Sequence, residues 1–208
     1  MSEVTIKAQA KRYKLTVGDA YLRFLTAEGT YDKVMHALDT MKSVQLAPDA
    51  STKKIYASGK VYDITTNVRG GKVTVDAVAL PDAIVDEAQG AQGTGGTAYD
   101  VNLPQGKEFG FGFSTAMSDG SRKYVRYPRC RLSFPSDESK TSEDSDIDPS
   151  ESDEIECMPT SEGVWRVRYA TADVTEGKKP FAPQEWFSKG LYTVAQIDAA
   201  AGSETSAG

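Results

Sequence analysis

Between positions 109 and 114 the chain alternates strictly, with Phe109, Phe111 and Phe113 separated by Gly110, Gly112 and Ser114. Aromatics at i, i+2 and i+4 line one face of an extended strand, and the small residues leave the opposite face open to a close neighbour. The same period recurs. Gly71 to Val78 places Val73, Val75 and Ala77 on one face. Tyr21 to Leu25 is a short apolar strand bounded by Glu28-Gly29. Ile55, Ala57, Val61 and Ile64 flank Ser58-Gly59-Lys60, which reads as two strands around a turn or as one bulged strand. Ser118-Asp119-Gly120-Ser121 turns the phenylalanine strand into Tyr124-Val125-Arg126-Tyr127, the second arm of a hairpin. Glu154 to Met158 and Val164 to Tyr169 are expected to pair across Ser161-Glu162-Gly163. The pattern predicts a mainly β chain built on antiparallel pairing.

Helix signals are few. Pro81 to Gly90 opens with proline and early acids, ends on glycine, and places Ile84, Val85 and Ala88 on one face. Pro183 to Gly190 suits one or two turns. Tyr31, Val34, Met35, Leu38 and Met41 follow helical spacing, which pulls against a purely extended path for residues 31–42. Residues 90–105, 136–152 and 202–208 read as loosely structured, and no internal repeat stands out.

Charge is unevenly spread along the 208 residues. The formal net charge is −6, yet ten acids and one base fall between Asp137 and Glu156, so the remainder is weakly basic at +3. Just upstream lie Arg122, Lys123, Arg126, Arg129 and Arg131. Adjoining blocks of opposite sign favour contacts between copies. No run approaches the roughly 20 apolar residues of a membrane span, and Met1 to Lys14 lacks the apolar core of a secretory signal. Cys130 and Cys157 cannot form a disulfide framework for a chain of this length and suit a reducing compartment.

Recognisable catalytic chemistry is missing from the sequence. His36 is the single histidine, best read as a surface or sheet-edge residue. The two cysteines lack the paired spacing of a zinc site and read as half-buried thiols. Gly90 to Thr97 resembles a phosphate loop but lacks the lysine, and it follows a helix rather than a strand. Asp144, Asp146 and Asp148 match the first ligands of a calcium loop, after which Pro149 and Ile155 break the pattern. The basic run with Tyr124 and Tyr127 could suit single-stranded nucleic acid, but it adjoins an acidic stretch able to neutralise it. No cofactor, metal or enzymatic activity is expected.

The ordered features resemble the major tail protein of long-tailed (siphovirus) phages, in particular the phi13-type family, over about residues 21–169. The carriers are Val44-Gln45-Leu46-Ala47-Pro48, Ile55-Tyr56-Ala57-Ser58-Gly59, Gly71-Lys72-Val73-Thr74-Val75 leading to Leu80-Pro81, Lys107 to Phe113, Tyr124 to Tyr127 with Cys130, and Ile155-Glu156-Cys157-Met158-Pro159. The resemblance implies an antiparallel β-sandwich of the tail-tube type, flanked by a short α-helix and carrying long loops. It implies rings, hexameric in the family, that stack into a tube for DNA passage. The expected partners are further copies of the chain, a tape-measure protein in the lumen during assembly, tail terminator and distal tail proteins at the ends, and DNA in transit. The expected location is the virion, after synthesis and assembly in the host cytoplasm, with no membrane contact.

Residues 1–175 are expected to form the tail-tube domain and 176–208 a C-terminal arm or extension. An acidic loop carrying Asp137, Glu138, Glu143, Asp144, Asp146, Asp148, Glu151 and Asp153 is expected at the lumen or the ring-to-ring contact. Arg126, Arg129 and Arg131 are expected to meet acids of an adjacent subunit. The competing reading is a monomeric β-sandwich that binds carbohydrate or protein through an exposed aromatic cluster, with Trp165, Trp186 and Phe187 as its platform.

Overall fold

A computed structural model describes residues 11–57, 59–94, 97–101, 106–134, 151–174, 178–191 and 193–201. Among the described residues the fold is mainly β, at 56% strand against 15% helix. In order it forms β1 (Lys14–Ala27), β2 (Thr30–Tyr31), β3 (His36–Leu38), β4 (Met41–Ala57), β5 (Lys60–Ala77), α1 (Asp82–Gln89), β6 (Gln92–Thr94), β7 (Thr97–Tyr99), β8 (Phe109–Met117), β9 (Arg122–Leu132), β10 (Glu151–Met158), β11 (Val167–Ala170), a 3-10 turn at Thr171–Asp173, α2 (Pro183–Lys189) and α3 (Val194–Ala201).

Nine strands form one antiparallel sheet along the path β2-β1-β8-β9-β10-β5-β4, with β3 also on β1 and β11 also on β9. The sheet folds over on itself. Val17 of β1 and Val44 of β4, from opposite ends of that path, pack against the same core as Phe109, Phe111 and Phe113 of β8. Val73, Val75 and Ala77 close this core from β5, and α1 contributes Ile84 and Ala88. The helix starts after Pro81 and stops at Gly90, whose φ of 78° suits glycine at a C-terminal cap.

A second cluster lies on the outer face of β1, β8 and β9. Phe181, Trp186 and Phe187 are buried there against Tyr124, with Tyr21 and Tyr169 packed alongside. Within the stretch expected as a C-terminal arm or extension, residues from Phe181 to Ala200 pack on the body, and α2 brings two large aromatics to a face that would otherwise expose Tyr124. Just beyond it, Thr193 and Gln196 cap the start of α3 reciprocally: Thr193 N–H donates to Gln196 Oε1 at 3.1 Å and Gln196 N–H to Thr193 Oγ1 at 3.2 Å.

Several local expectations change. Residues 31–42 hold no helix: β3 pairs with β1, residues 39–40 turn into β4, and Leu38 faces the inner core while Met35 joins the outer one. Strands β10 and β11 do not pair with each other. They lie end to end along one edge of β9, β11 against Lys123 to Arg126 and β10 against Arg129 to Leu132. An eleven-residue strand has room for both, whereas a direct hairpin would leave half of that edge bare. Within residues 90–105, β6 and β7 form a small hairpin.

Candidate assembly surfaces

The β4–β5 hairpin outruns the body. Its arms are 17 and 18 residues long, but β10 covers β5 only from Gly71 to Ala77. At the point of departure Gly70 has φ 142°, and a β-carbon there would stand 2.2 Å from the carbonyl oxygen of Cys157. Beyond it, Ala50 to Ala57 and Lys60 to Val68 continue as a two-stranded ribbon of about 25 Å, at roughly 3.3 Å per residue.

Register gives that ribbon two unlike faces. Ala50 pairs with Val68, Thr52 with Thr66, Lys54 with Ile64 and Tyr56 with Val61, while Tyr62 is the extra residue of a bulge. Thr52 Oγ1 and Thr66 Oγ1 meet at 3.2 Å, as side chains of one face must. The opposite face pairs Ser51 with Asn67, Lys53 with Thr65 and Ile55 with Asp63. Following the alternation of β4 back through Pro48, Leu46 and Val44 shows that the first face continues the face that lines the core. Tyr56 is 65% exposed, Ile64 55% and Val61 47%. Large apolar side chains on the continuation of the core face therefore stand in solvent, beside Thr52, Thr66 and Lys54.

The basic run is largely consumed within the subunit. Arg126 is only 3% exposed; it donates through NH2 to the carbonyl of Phe187 and through NH1 to that of Leu191 at 3.3 Å. Its guanidinium also lies 5.4 Å from the ring centroid of Tyr31, and burial lowers its pKa to about 10. This arginine ties the end of α2 to the sheet and is buried within its own subunit, where an exposed base was expected. By parity Arg126 shares the outer face with Tyr124, and α2 covers both.

Glu108 takes Arg129 (2.6 Å to Oε2) and Arg131 (3.0 Å to Oε1). Their hydrogen bonds, Arg129's first, hold its carboxyl below the usual glutamate range against the opposing effect of partial burial. Both arginines thus have an acid of their own subunit, where an acid of an adjacent one was expected.

Of the acidic residues, Asp137, Glu138, Glu143, Asp144, Asp146 and Asp148 lie outside the described residues. Glu151 begins β10, so the loop ends earlier than expected. Asp153 is 5% exposed in that strand, on the parity of Ile155 and Cys157, and does not belong to an exposed loop.

Trp186 and Phe187 are buried in the outer cluster and Trp165 is half-buried against the inner one, so these three form no exposed platform. His36 sits on the short edge strand β3, its ring edge-on to Phe24 at 5.8 Å. Cys130 and Cys157 are cross-strand partners, fully rather than half buried, with Sγ atoms 3.6 Å apart and no disulfide. Among the described residues no group of three or more His, Cys, Asp or Glu side chains is placed to hold a metal, and no helix is long and apolar enough to cross a membrane.

The exposed ribbon is what sequence reading missed. Its signal is length: Thr, Ile, Tyr and Val recur on both sides of Gly59 over more residues than one body can cover. Comparison with family models and with curated proteins finds no match for this chain.

Proposed function

We propose that this chain is the major tail protein of a long-tailed phage, a structural subunit that closes into rings which stack into the tail tube. The observation that carries the reading is the β4–β5 ribbon. A two-stranded hairpin is at best marginally stable in water. Here one extends beyond the body with its apolar stripe uncovered, on the face that continues the core. Burying that stripe stabilises by about 25 cal/mol per Å² of apolar area removed from water, and a second copy supplies the cover in a homopolymer.

The outer edge of β4 ends the sheet path, and a neighbouring subunit relieves that exposed edge. The partners in this reading are further copies in hexameric rings of the family type, with a tape-measure protein inside during assembly and terminator and distal tail proteins at the ends. DNA passes through without specific binding. The role is non-enzymatic and its site is the virion.

Sedimentation velocity over a range of protein concentration tests the reading. Wild-type protein is expected to form large assemblies, and Tyr56→Ser combined with Ile64→Thr to remain a folded monomer. A wild-type chain that stays monomeric at every concentration, with or without preformed seeds, overturns it.

A further inference from the structure

At the open end of the folded sheet, where the start of β1 approaches the start of β4, lies a groove of about 260 Å³. Val17, Val44 and Phe113 supply its apolar wall, and Lys14 and Lys42 stand beside them. Cations gather around this mouth. Lys123 is the cross-strand partner of Thr115, which also lines the groove. Arg168 pairs with Val125, which in turn pairs with Phe113. Arg166 follows two residues before Arg168, its guanidinium 4.7 Å from the ring centroid of Trp165.

These positive charges act on one another. Burial lowers the pKa of Lys123, and the neighbouring Arg168, Lys14 and Arg166 push in the same direction. Asp173 acts on Lys123 in the opposite direction, and it is itself held by Arg12 at 2.8 Å. Several cations elsewhere are paired, as Arg122 with Asp19, Lys72 with Glu154 and Lys107 with Glu87. Lys14, Lys123, Arg166 and Arg168 have no ion pair with a described carboxylate. Lys14 in the groove wall, with Lys123, Arg166 and Arg168 on the adjoining strands, raises the local potential beside a partly apolar groove and favours an anionic occupant that also carries an apolar group.

The chain itself contains such a ligand. Residues 144–148 read Asp-Ser-Asp-Ile-Asp, an isoleucine flanked by carboxylates and isolated from other large apolar residues. We propose that the groove lined by Lys14, with Lys123 and Arg168 on the strands beside it, docks residues 144–148 of a second copy, with Ile147 against Val17, Val44 and Phe113 and the aspartates against the cations. The identity of the partner rests on the self-assembly reading. The chemistry of the site does not, and the groove is too small to admit a nucleic-acid duplex.

The test uses a fluorescent peptide of residues 141–152 and a full-chain receiver carrying Asp144→Asn, Asp146→Asn and Asp148→Asn, which removes competition from its own segment. Anisotropy is expected to show saturable binding that weakens at least about tenfold with Lys123→Glu and Arg168→Glu. The same loss is expected for Ile147→Ser in the peptide, whereas Lys33→Glu leaves binding unchanged. Far-UV circular dichroism of each receiver excludes misfolding as the cause. Because tube formation is not the readout, failure of the tail-tube reading and failure of this docking are distinguishable. No peptide binding, or binding indifferent to Lys123 and Arg168, overturns the proposal. A single-stranded oligonucleotide that displaces the peptide and binds more tightly at the same residues overturns it too, by making nucleic acid the occupant.

Discussion

Phe187 lies so close over Gly112 that a β-carbon at that glycine would stand 2.3 Å from Phe187 Cε1. Gly110 stands in the same relation to Tyr31, at 2.5 Å. The glycines of β8 thus seat the aromatics of the outer cluster, while Phe109, Phe111 and Phe113 fill the inner one.

Gly112→Ala is expected to destabilise the fold by about 1–3 kcal/mol, because the added methyl must displace a packed ring rather than a mobile surface chain. Urea denaturation checks this. Gly112→Ala combined with Phe187→Leu should recover part of the loss, and an unaltered midpoint for the single variant would contradict the close packing.

Arg126→Ala should cost about 3 kcal/mol, since it leaves the Phe187 and Leu191 carbonyls without their donor and removes the contact with Tyr31. Limited proteolysis is the more specific readout. Cleavage is expected first within residues 178–201, with the sheet cut more slowly. Identical digestion of variant and wild type would show that the arginine does not anchor α2.

Glu108 makes stability depend on acid. Its folded-state pKa is lowered by Arg129 and Arg131, so its contribution is fully present above the unfolded value of 4.5 and is lost as pH falls through the lower folded value. Thermal melts between neutral pH and the acid range should show this loss, and Glu108→Gln should flatten that part of the profile. An unchanged profile in the variant would remove Glu108 from the account.

The thiols of Cys130 and Cys157 should be unreactive in the native state. Both are buried, and burial raises the Cys130 thiol well above its ordinary pKa. A chromogenic disulfide reagent is expected to titrate two thiols promptly in denaturant and to react with the folded protein only as it opens. Rapid native-state reaction would contradict the burial.

Much of the body was legible because side-chain parity is a local property. Val73, Val75 and Ala77 face the core as their alternation requires, and Pro81 and Gly90 bracket α1. What failed depended on cover from distant residues. Arg126 looks like a free surface base until Phe187 and Leu191, some sixty positions later, arrive over it. Residues 31–42 carry a helical spacing, but edge pairing with β1 decides their conformation. The pairing of β10 with β9 and β5 could not be read either, since only the length of β9 leaves room for β10 and β11 on one edge. The ribbon escaped notice for the opposite reason: its strands were evident, and the lack of anything covering them was not.

Negative-stain electron microscopy of the purified protein, beside the Tyr56→Ser, Ile64→Thr variant, tests the central claim most directly. The account predicts tubes or stacked rings for wild type and dispersed monomers for the variant, whose circular dichroism shows them to be folded. Tubes formed equally well by the variant would show that the ribbon's apolar face does not hold copies together. The complete absence of rings and tubes from wild-type protein, even when seeded, would contradict self-assembly itself.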